Sequence, residues 1–227
     1  MITLDAVTHR YGERTVLRDV ALTLTQARVG VIGANGSGKS TMARTLNGLV
    51  LPTEGRVVVE GHDTRRDGAA VRRVVGFVFT DPDAQIVMPT VGEDVDFSLR
   101  RKGFDRGERR ERVAEVLARF GLAGYADHPA HLLSGGQKQL LALASVLVTE
   151  PTVLVCDEPT TLLDLRNTRR VAGLLAELTQ QVVLVTHDLP LVADFDRVVV
   201  IDEGEVAYDG MPGDAVRVYT ELMAGRP

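Results

Sequence analysis

The chain has 227 residues, 44% hydrophobic and 25% charged, which fits one compact domain, or one domain with a smaller insertion, and a sizeable core. A formal net charge of −5 argues against a general affinity for nucleic acid, whose backbone selects basic surfaces. The segment Met1 to Asp5 lacks a positive region followed by an apolar one, and no stretch approaches eighteen uninterrupted apolar residues, so neither a secretory signal nor a membrane span is expected.

Residues 2 to 24 alternate apolar and polar side chains around the turn Tyr11-Gly12-Glu13-Arg14, the pattern of short antiparallel strands. Tyr11 is either amphipathic cover or a ring able to stack on a flat base. Val29-Gly30-Val31-Ile32 then reads as a buried strand running into Gly33-Ala34-Asn35-Gly36-Ser37-Gly38-Lys39-Ser40 and a helix through about Leu49. Strand, loop and helix together form the expected setting of a phosphate-binding loop, G-x-x-x-x-G-K-[ST]. In such a loop the glycines turn backbone N–H groups toward phosphate oxygens, and the helix N-terminus adds its positive dipole end. Lys39 would reach the β and γ phosphates, and the Ser40 hydroxyl would ligate Mg²⁺.

Further buried strands are expected at 74–79, 152–156, 182–186 and 198–201, mostly with helical stretches between them. That alternation favours a largely parallel sheet covered by helices. From about 90 to 128 amphipathic helical patterns, such as Val113, Val116, Leu117 and Phe120, follow one another without a strand. This reads as an inserted helical subdomain. The basic run Arg100, Arg101, Lys102, Arg106, Arg109, Arg110 and Arg112 is interleaved with Asp105, Glu108 and Glu111. A solvated helix face explains it, with an inner-leaflet or partner contact as the alternative.

Leu133-Ser134-Gly135-Gly136-Gln137 precedes a helical run from Lys138 to Val148, with Ser134 as N-cap and the glycines exposing backbone donors. It is either a plain cap or a second anion-binding helix terminus. Val153-Leu154-Val155-Cys156-Asp157-Glu158 is an apolar strand ending in two carboxylates. A parallel strand delivers its C-terminal end to the ligand crevice, so Asp157 is placed to hold Mg²⁺. By strand period Glu158 faces the other way and could polarise an attacking water as general base. Cys156, the one cysteine, reads as a small buried hydrophobe in a reducing compartment. Asp164 reads as a helix N-cap, and His187, after the last apolar residue of its strand, is either structural or a γ-phosphate contact.

Taken in order, these segments resemble the ATP-binding cassette family over essentially the whole chain. The resemblance implies an α/β P-loop NTPase core with a mostly parallel sheet, an N-terminal antiparallel β-subdomain and an inserted helical subdomain at about 90–148 within a single domain, 1–227. It implies Walker A at Gly33 to Thr41, the signature at Leu133 to Gln137, Walker B ending at Asp157, the catalytic Glu158, the D-loop at Asp164, the switch histidine at His187 and Tyr11 as the adenine-stacking aromatic. It implies ATP and Mg²⁺ as cofactors. In that family the signature serine and glycines of one subunit bind the γ-phosphate held by the Walker A of another, which would account for two phosphate sites in one chain.

A narrower resemblance lies in Val75-Gly76-Phe77-Val78-Phe79-Thr80-Asp81-Pro82-Asp83-Ala84-Gln85-Ile86, followed by Thr90-Val91-Gly92-Glu93-Asp94-Val95-Asp96-Phe97. This is similar to the energy-coupling-factor branch of vitamin and metal-ion uptake, in which x-P-D-x-Q plus an apolar residue forms a short helix near the membrane partner. The lack of a regulatory domain after residue 227 agrees with that branch, and the overall texture is most similar to ATPases of biotin uptake. The implied partners are a transmembrane coupling protein, a substrate-binding membrane protein and a second copy of the chain or a paralogous ATPase, with no nucleic acid, at the cytoplasmic face of the membrane. Solute recognition in such systems belongs to the membrane subunit, so vitamin and cobalt or nickel uptake both remain open. One position departs from the family: Thr80 stands where the Q-loop glutamine is usual, and its hydroxyl falls roughly 2.5 Å short of a glutamine oxygen.

The rival classes fit less well. Another class of transporter ATPase shares the same core motifs. A DNA-repair or chromosome cassette would need a long coiled coil between Walker A and the signature, and none is present; a translation-type protein would usually carry two cassettes. A nucleotide sensor without turnover sits poorly with an intact Glu158.

Overall fold

The computed structural model describes residues 1–100 and 102–225; Arg101 of the basic run lies outside the described residues. The chain forms two compact units, one of residues 1–75, 152–158 and 178–227, the other of 76–151 and 159–177.

The first unit begins with β1 (Ile2–Tyr11) and β2 (Arg14–Leu24), longer than the short strands expected. Their antiparallel register runs from Ile2 opposite Leu24 to Tyr11 opposite Arg14, closed by a two-residue turn at Gly12 with φ +60°. Ile2, Leu4 and Val7 on β1 and Leu17, Val20, Leu22 and Leu24 on β2 are buried, so one face of the pair is apolar and its register is specified. Two strands absent from the sequence reading, β4 (Glu54–Val59) and β5 (His62–Asp63), complete a sheet of order β2-β1-β4-β5. Glu54-Gly55-Arg56 opens β4 with polar residues and hides its apolar end, Val57 to Val59.

The second sheet of this unit is built from β3 (Arg28–Ile32), β7 (Val153–Asp157), β8 (Gln181–Val185), β9 (Arg197–Asp202) and β10 (Glu205–Gly210). They run in the order β10-β9-β3-β8-β7. β3 pairs parallel with β8 and β9, β7 pairs parallel with β8, and only β10 runs antiparallel. The parallel strands are near-continuous runs of Val, Ile and Leu, as burial on both faces requires. Helix α1 (Lys39–Leu46) packs on β7 and β8, and the C-terminal helix α7 (Pro212–Ala224) on β9 and β10. α1 stops three residues before the expected Leu49, because the chain leaves the helix at Asn47 and turns left-handed at Gly48, φ +73°. A short helix, α2 (Gly68–Val74), leads into β6 (Val75–Val78), where the chain passes into the second unit.

The second unit is helical: α3 (Val91–Leu99), α4 (Arg106–Arg119), α5 (Gly135–Leu147) and α6 (Leu165–Ala176). Each start is written in the sequence. Thr90 with Glu93, Asp105 with Glu108 and Ser134 with Gln137 form reciprocal capping boxes, and Asp164 accepts the Asn167 amide at 2.8 Å. The basic run is divided: Arg106 and Arg110 are exposed on α4, whereas the half-buried Arg109 donates to Asp96 at 2.7 Å, Arg112 to Glu150 at 2.8 Å, and Lys102, which precedes the helix, to the Thr149 carbonyl at 3.0 Å. No helix among the described residues is long and apolar enough to cross a membrane.

Candidate functional site

The strand order β9-β3-β8-β7 sets the carboxyl ends of four parallel strands side by side, where α/β sheets bind ligands. β3 delivers the loop 33–38, β7 delivers Asp157 and Glu158, and β8 delivers Thr186 and His187. Residues nearly 150 positions apart, Lys39 and His187, thus come to one rim of one sheet.

The loop has no room for side chains at its key turns. Gly33 sits at φ +154°, and a Cβ there would lie 2.1 Å from the Ile201 carbonyl; Gly38, at φ +107°, would strike the Val16 carbonyl at 2.7 Å. Both demands exclude other residues. Gly33→Ala is expected to destabilise the fold by about 1–3 kcal/mol, the cost of a strained backbone site; a lowered Tm in thermal unfolding checks it.

Lys39 is almost entirely buried and donates to the carbonyls of Gly33 and Ala34, each at 2.8 Å. Burial holds its ammonium below the ordinary lysine value, while Glu158 and Asp157 pull the other way. The Ser40 hydroxyl donates to the Asp157 carboxylate at 2.8 Å. Asp157 is 1% exposed. Burial pushes its carboxyl up, opposed by the Ser40 hydroxyl, the Arg44 guanidinium and Lys39, while Glu158 pushes it further up. A hydroxyl and a carboxylate this close are two hard-oxygen donors. Among the described residues no cluster of three or more His, Cys, Asp or Glu is poised for a metal, and Mg²⁺ fits such a site, since it is held by one or two protein groups with waters and substrate phosphates completing its shell.

Glu158 does not owe its direction to strand alternation, as the sequence reading held. It lies one residue past β7 with φ +55°, while its amide still donates to the Val185 carbonyl at 2.9 Å. A left-handed non-glycine backbone is costly, and Glu158 shares it with Ala6, Asp19, Glu60, Glu150 and Glu203. The Glu158 carboxylate is hydrogen-bonded to His187 Nδ1. Arg44 was not foreseen: its guanidinium lies 3.6 Å from Asp157. The sequence did carry the signal, because Ser40 and Arg44 are four apart on α1 and share a face. Cys156 is buried, its thiol pushed far up by burial and by Asp157.

Beside Gly36 opens a cleft of about 480 Å³, lined by Glu13 to Val16, Arg18 and Glu203. Tyr11 is not among its walls; it stands half-exposed at the end of β1 with its ring edge-on to His9, centroids 4.6 Å apart. In the second unit Ser134 caps α5 and Asp164 caps α6. The two caps are neighbours, because a Cβ on Gly136 would meet the Asn167 side chain at 2.5 Å, and Asn167 is the residue whose amide Asp164 accepts.

The family model for ABC transporters matches residues 17–161. The chain is 47% identical over 214 residues, 94% of its length and 95% of the relative's, to the biotin transport ATP-binding protein BioM of Rhizobium etli. It is 41% identical over 209 residues, 89% of its length and 76% of the relative's, to the energy-coupling factor transporter ATP-binding protein EcfA1 of Caldanaerobacter subterraneus. A solved structure of cbiO1 from Clostridium perfringens, described as part of the ABC transporter complex cbiONQ, superposes with TM-score 0.84 at 32% identity, covering 98% of this chain and 92% of that one.

Proposed function

The chain belongs to the ABC transporter family and is an ATPase of it, and we propose that it is the ATP-hydrolysing subunit of an energy-coupling-factor importer whose solute is biotin. What carries the reading is the convergence of Lys39, Ser40, Asp157, Glu158 and His187 at one sheet rim. The similarity to BioM and EcfA1, together with the segment 80–86, supports the branch and the solute.

In this reading the backbone N–H groups of Gly33, Asn35, Gly36, Ser37 and Gly38 hold the phosphates, aided by Thr41. Lys39 leaves the Gly33 and Ala34 carbonyls for the phosphate oxygens, and Tyr11 stacks on the base. Ser40 and Asp157 would hold Mg²⁺, which when bound would supply neutralisation of the charge that develops on the phosphates. Glu158 takes the proton of the attacking water, and His187, on the same carboxylate, steadies it toward the γ-phosphate. Ser134, Gly135, Gly136, Gln137 and Asp164 serve the nucleotide of a second subunit. Leu132, Leu162 and Leu165, each roughly two-thirds exposed, flank these caps and offer apolar surface for that subunit to cover. The chain then sits at the cytoplasmic face of the membrane against a transmembrane coupling protein and a substrate-binding membrane protein.

Purification of the tagged chain from detergent-solubilised native membranes tests the reading: an Mg·ATPase accompanied by two integral membrane proteins that bind biotin supports it. A complex that binds cobalt or nickel instead would overturn the solute, and no membrane protein at all would overturn the importer. At position 80, Thr80→Gln is expected to leave basal hydrolysis within a few fold, since a water can bridge the missing reach, and to change stimulation by the membrane partner. Loss of basal hydrolysis in that variant would mean the site is built around threonine.

A further inference from the structure

Helix α1 brings a second cation to the Asp157 carboxylate besides Lys39. Ser40 and Arg44, four apart on α1, share the face that packs on the end of β7. One oxygen of Asp157 accepts the Ser40 hydroxyl at 2.8 Å, and the other lies 3.6 Å from a terminal guanidinium nitrogen of Arg44. At that distance the pair is an electrostatic contact and not a hydrogen bond. Nε of the same guanidinium is buried and has no hydrogen-bond acceptor among the described residues, a costly state for a donor. The Arg44 side chain is 44% exposed, so an outward rotamer would return Nε to water. What holds the guanidinium inward is the charge on Asp157, which is 1% exposed and needs a counter-charge there. Two cations, Lys39 and Arg44, thus face two carboxylates, Asp157 and Glu158, and their formal charges cancel. His187, hydrogen-bonded to Glu158, adds charge only when protonated.

We infer that Arg44 is a positioning residue that sets when the metal binds: it answers the Asp157 charge in the nucleotide-free chain, so that Ser40 and Asp157 hold a divalent cation only together with the phosphates. A divalent cation added to a balanced set of charges is repelled by Lys39 and Arg44 as strongly as the two carboxylates attract it. A triphosphate brings the missing negative charge and occupies Lys39, and the balance then favours the metal. Arg44 does this without touching nucleotide, through the one carboxylate it faces. The inference rests on the assignment of Ser40 and Asp157 to Mg²⁺ in the proposed function.

Mn²⁺, a paramagnetic substitute for Mg²⁺, is titrated into the full nucleotide-free chain and its free fraction read by electron paramagnetic resonance. Arg44→Met keeps the apolar length of the side chain and removes the charge; Arg44→Lys keeps the charge. Arg44→Met is expected to bind Mn²⁺ at least about tenfold more tightly than wild type, the Coulomb repulsion of a unit and a double charge a few ångström apart even at the dielectric of water. Arg44→Lys, a cation without the planar fork, is expected to stay within about threefold of wild type. The gain in Arg44→Met should shrink as salt is added. A purely structural role for Arg44 would lower the Tm of both variants and would not sort Mn²⁺ affinity by charge. Arg44→Met no tighter than wild type, or Arg44→Lys as tight as Arg44→Met, overturns the inference and leaves the metal assignment standing. Adding Asp157→Asn to Arg44→Met should abolish the gain. Tight Mn²⁺ binding that survives in this double variant puts the metal elsewhere, and overturns the assignment of Asp157 together with the inference.

Discussion

Glu158→Gln is expected to keep Mg·ATP bound while slowing its hydrolysis by roughly 10²–10⁴-fold, the usual worth of a general base, whereas Lys39→Ala is expected to lose productive binding altogether. The two differ because they act at different moments. Among the described residues the hydrogen bonds of the Lys39 ammonium go to two carbonyls of the loop it belongs to, and burial makes an unneutralised ammonium costly there. A phosphate answers that cost in the bound state. Glu158 touches His187 instead, and a glutamine of the same shape retains the position but not the proton acceptor. Equilibrium binding of a fluorescent ATP analogue and phosphate release, measured on both variants, separate the roles. Near wild-type hydrolysis by Glu158→Gln would remove it as the base.

Much of the fold could be read in advance because its signals are local. The loop from Gly33 to Ser40 needs only its own glycines and flanking strand, and Ser134 and Asp164 announce helix starts through the residues three positions later. Strands whose burial comes from the tertiary structure were missed. β10 alternates half-buried and exposed residues, Val206 and Tyr208 against Glu205 and Asp209, with too little apolar content to mark it before β9 supplies its partner. The direction of Glu158 was missed for a different reason: left-handed backbone at a glutamate contradicts local preference, and only the surrounding sheet imposes it. Arg44 contacts Asp157 across 113 positions; the sequence puts Arg44 on the Ser40 face of α1, but only the tertiary structure brings that face to Asp157.

A second large effect is expected from a mixed dimer in which one subunit carries Ser134→Arg and the other Lys39→Ala. If Ser134 serves the nucleotide held by the other subunit's Lys39, both lesions fall in one composite site and the second site stays chemically whole. If each chain completes its own site, both are lost. Single-turnover hydrolysis of pre-bound ATP is expected to be near half of wild type, against almost none in either homodimeric variant, because the arginine places a bulky cation where the γ-phosphate must meet the α5 N-terminus. A photo-crosslinker at position 134 gives the second readout, independent of whether one site fires alone. It should label nucleotide bound by the partner subunit; labelling confined to nucleotide bound within its own chain would sink the trans arrangement.

The most direct test of the central claim, that hydrolysis at this sheet rim drives solute entry, is uptake of labelled biotin by proteoliposomes holding the chain with the two membrane subunits proposed for it and Mg·ATP on the chain's side. Accumulation that depends on ATP, disappears with Lys39→Ala and falls with Glu158→Gln in proportion to phosphate release is the predicted result. Accumulation unchanged by Glu158→Gln would contradict it, since the solute would then be moving without the chemistry assigned to this site.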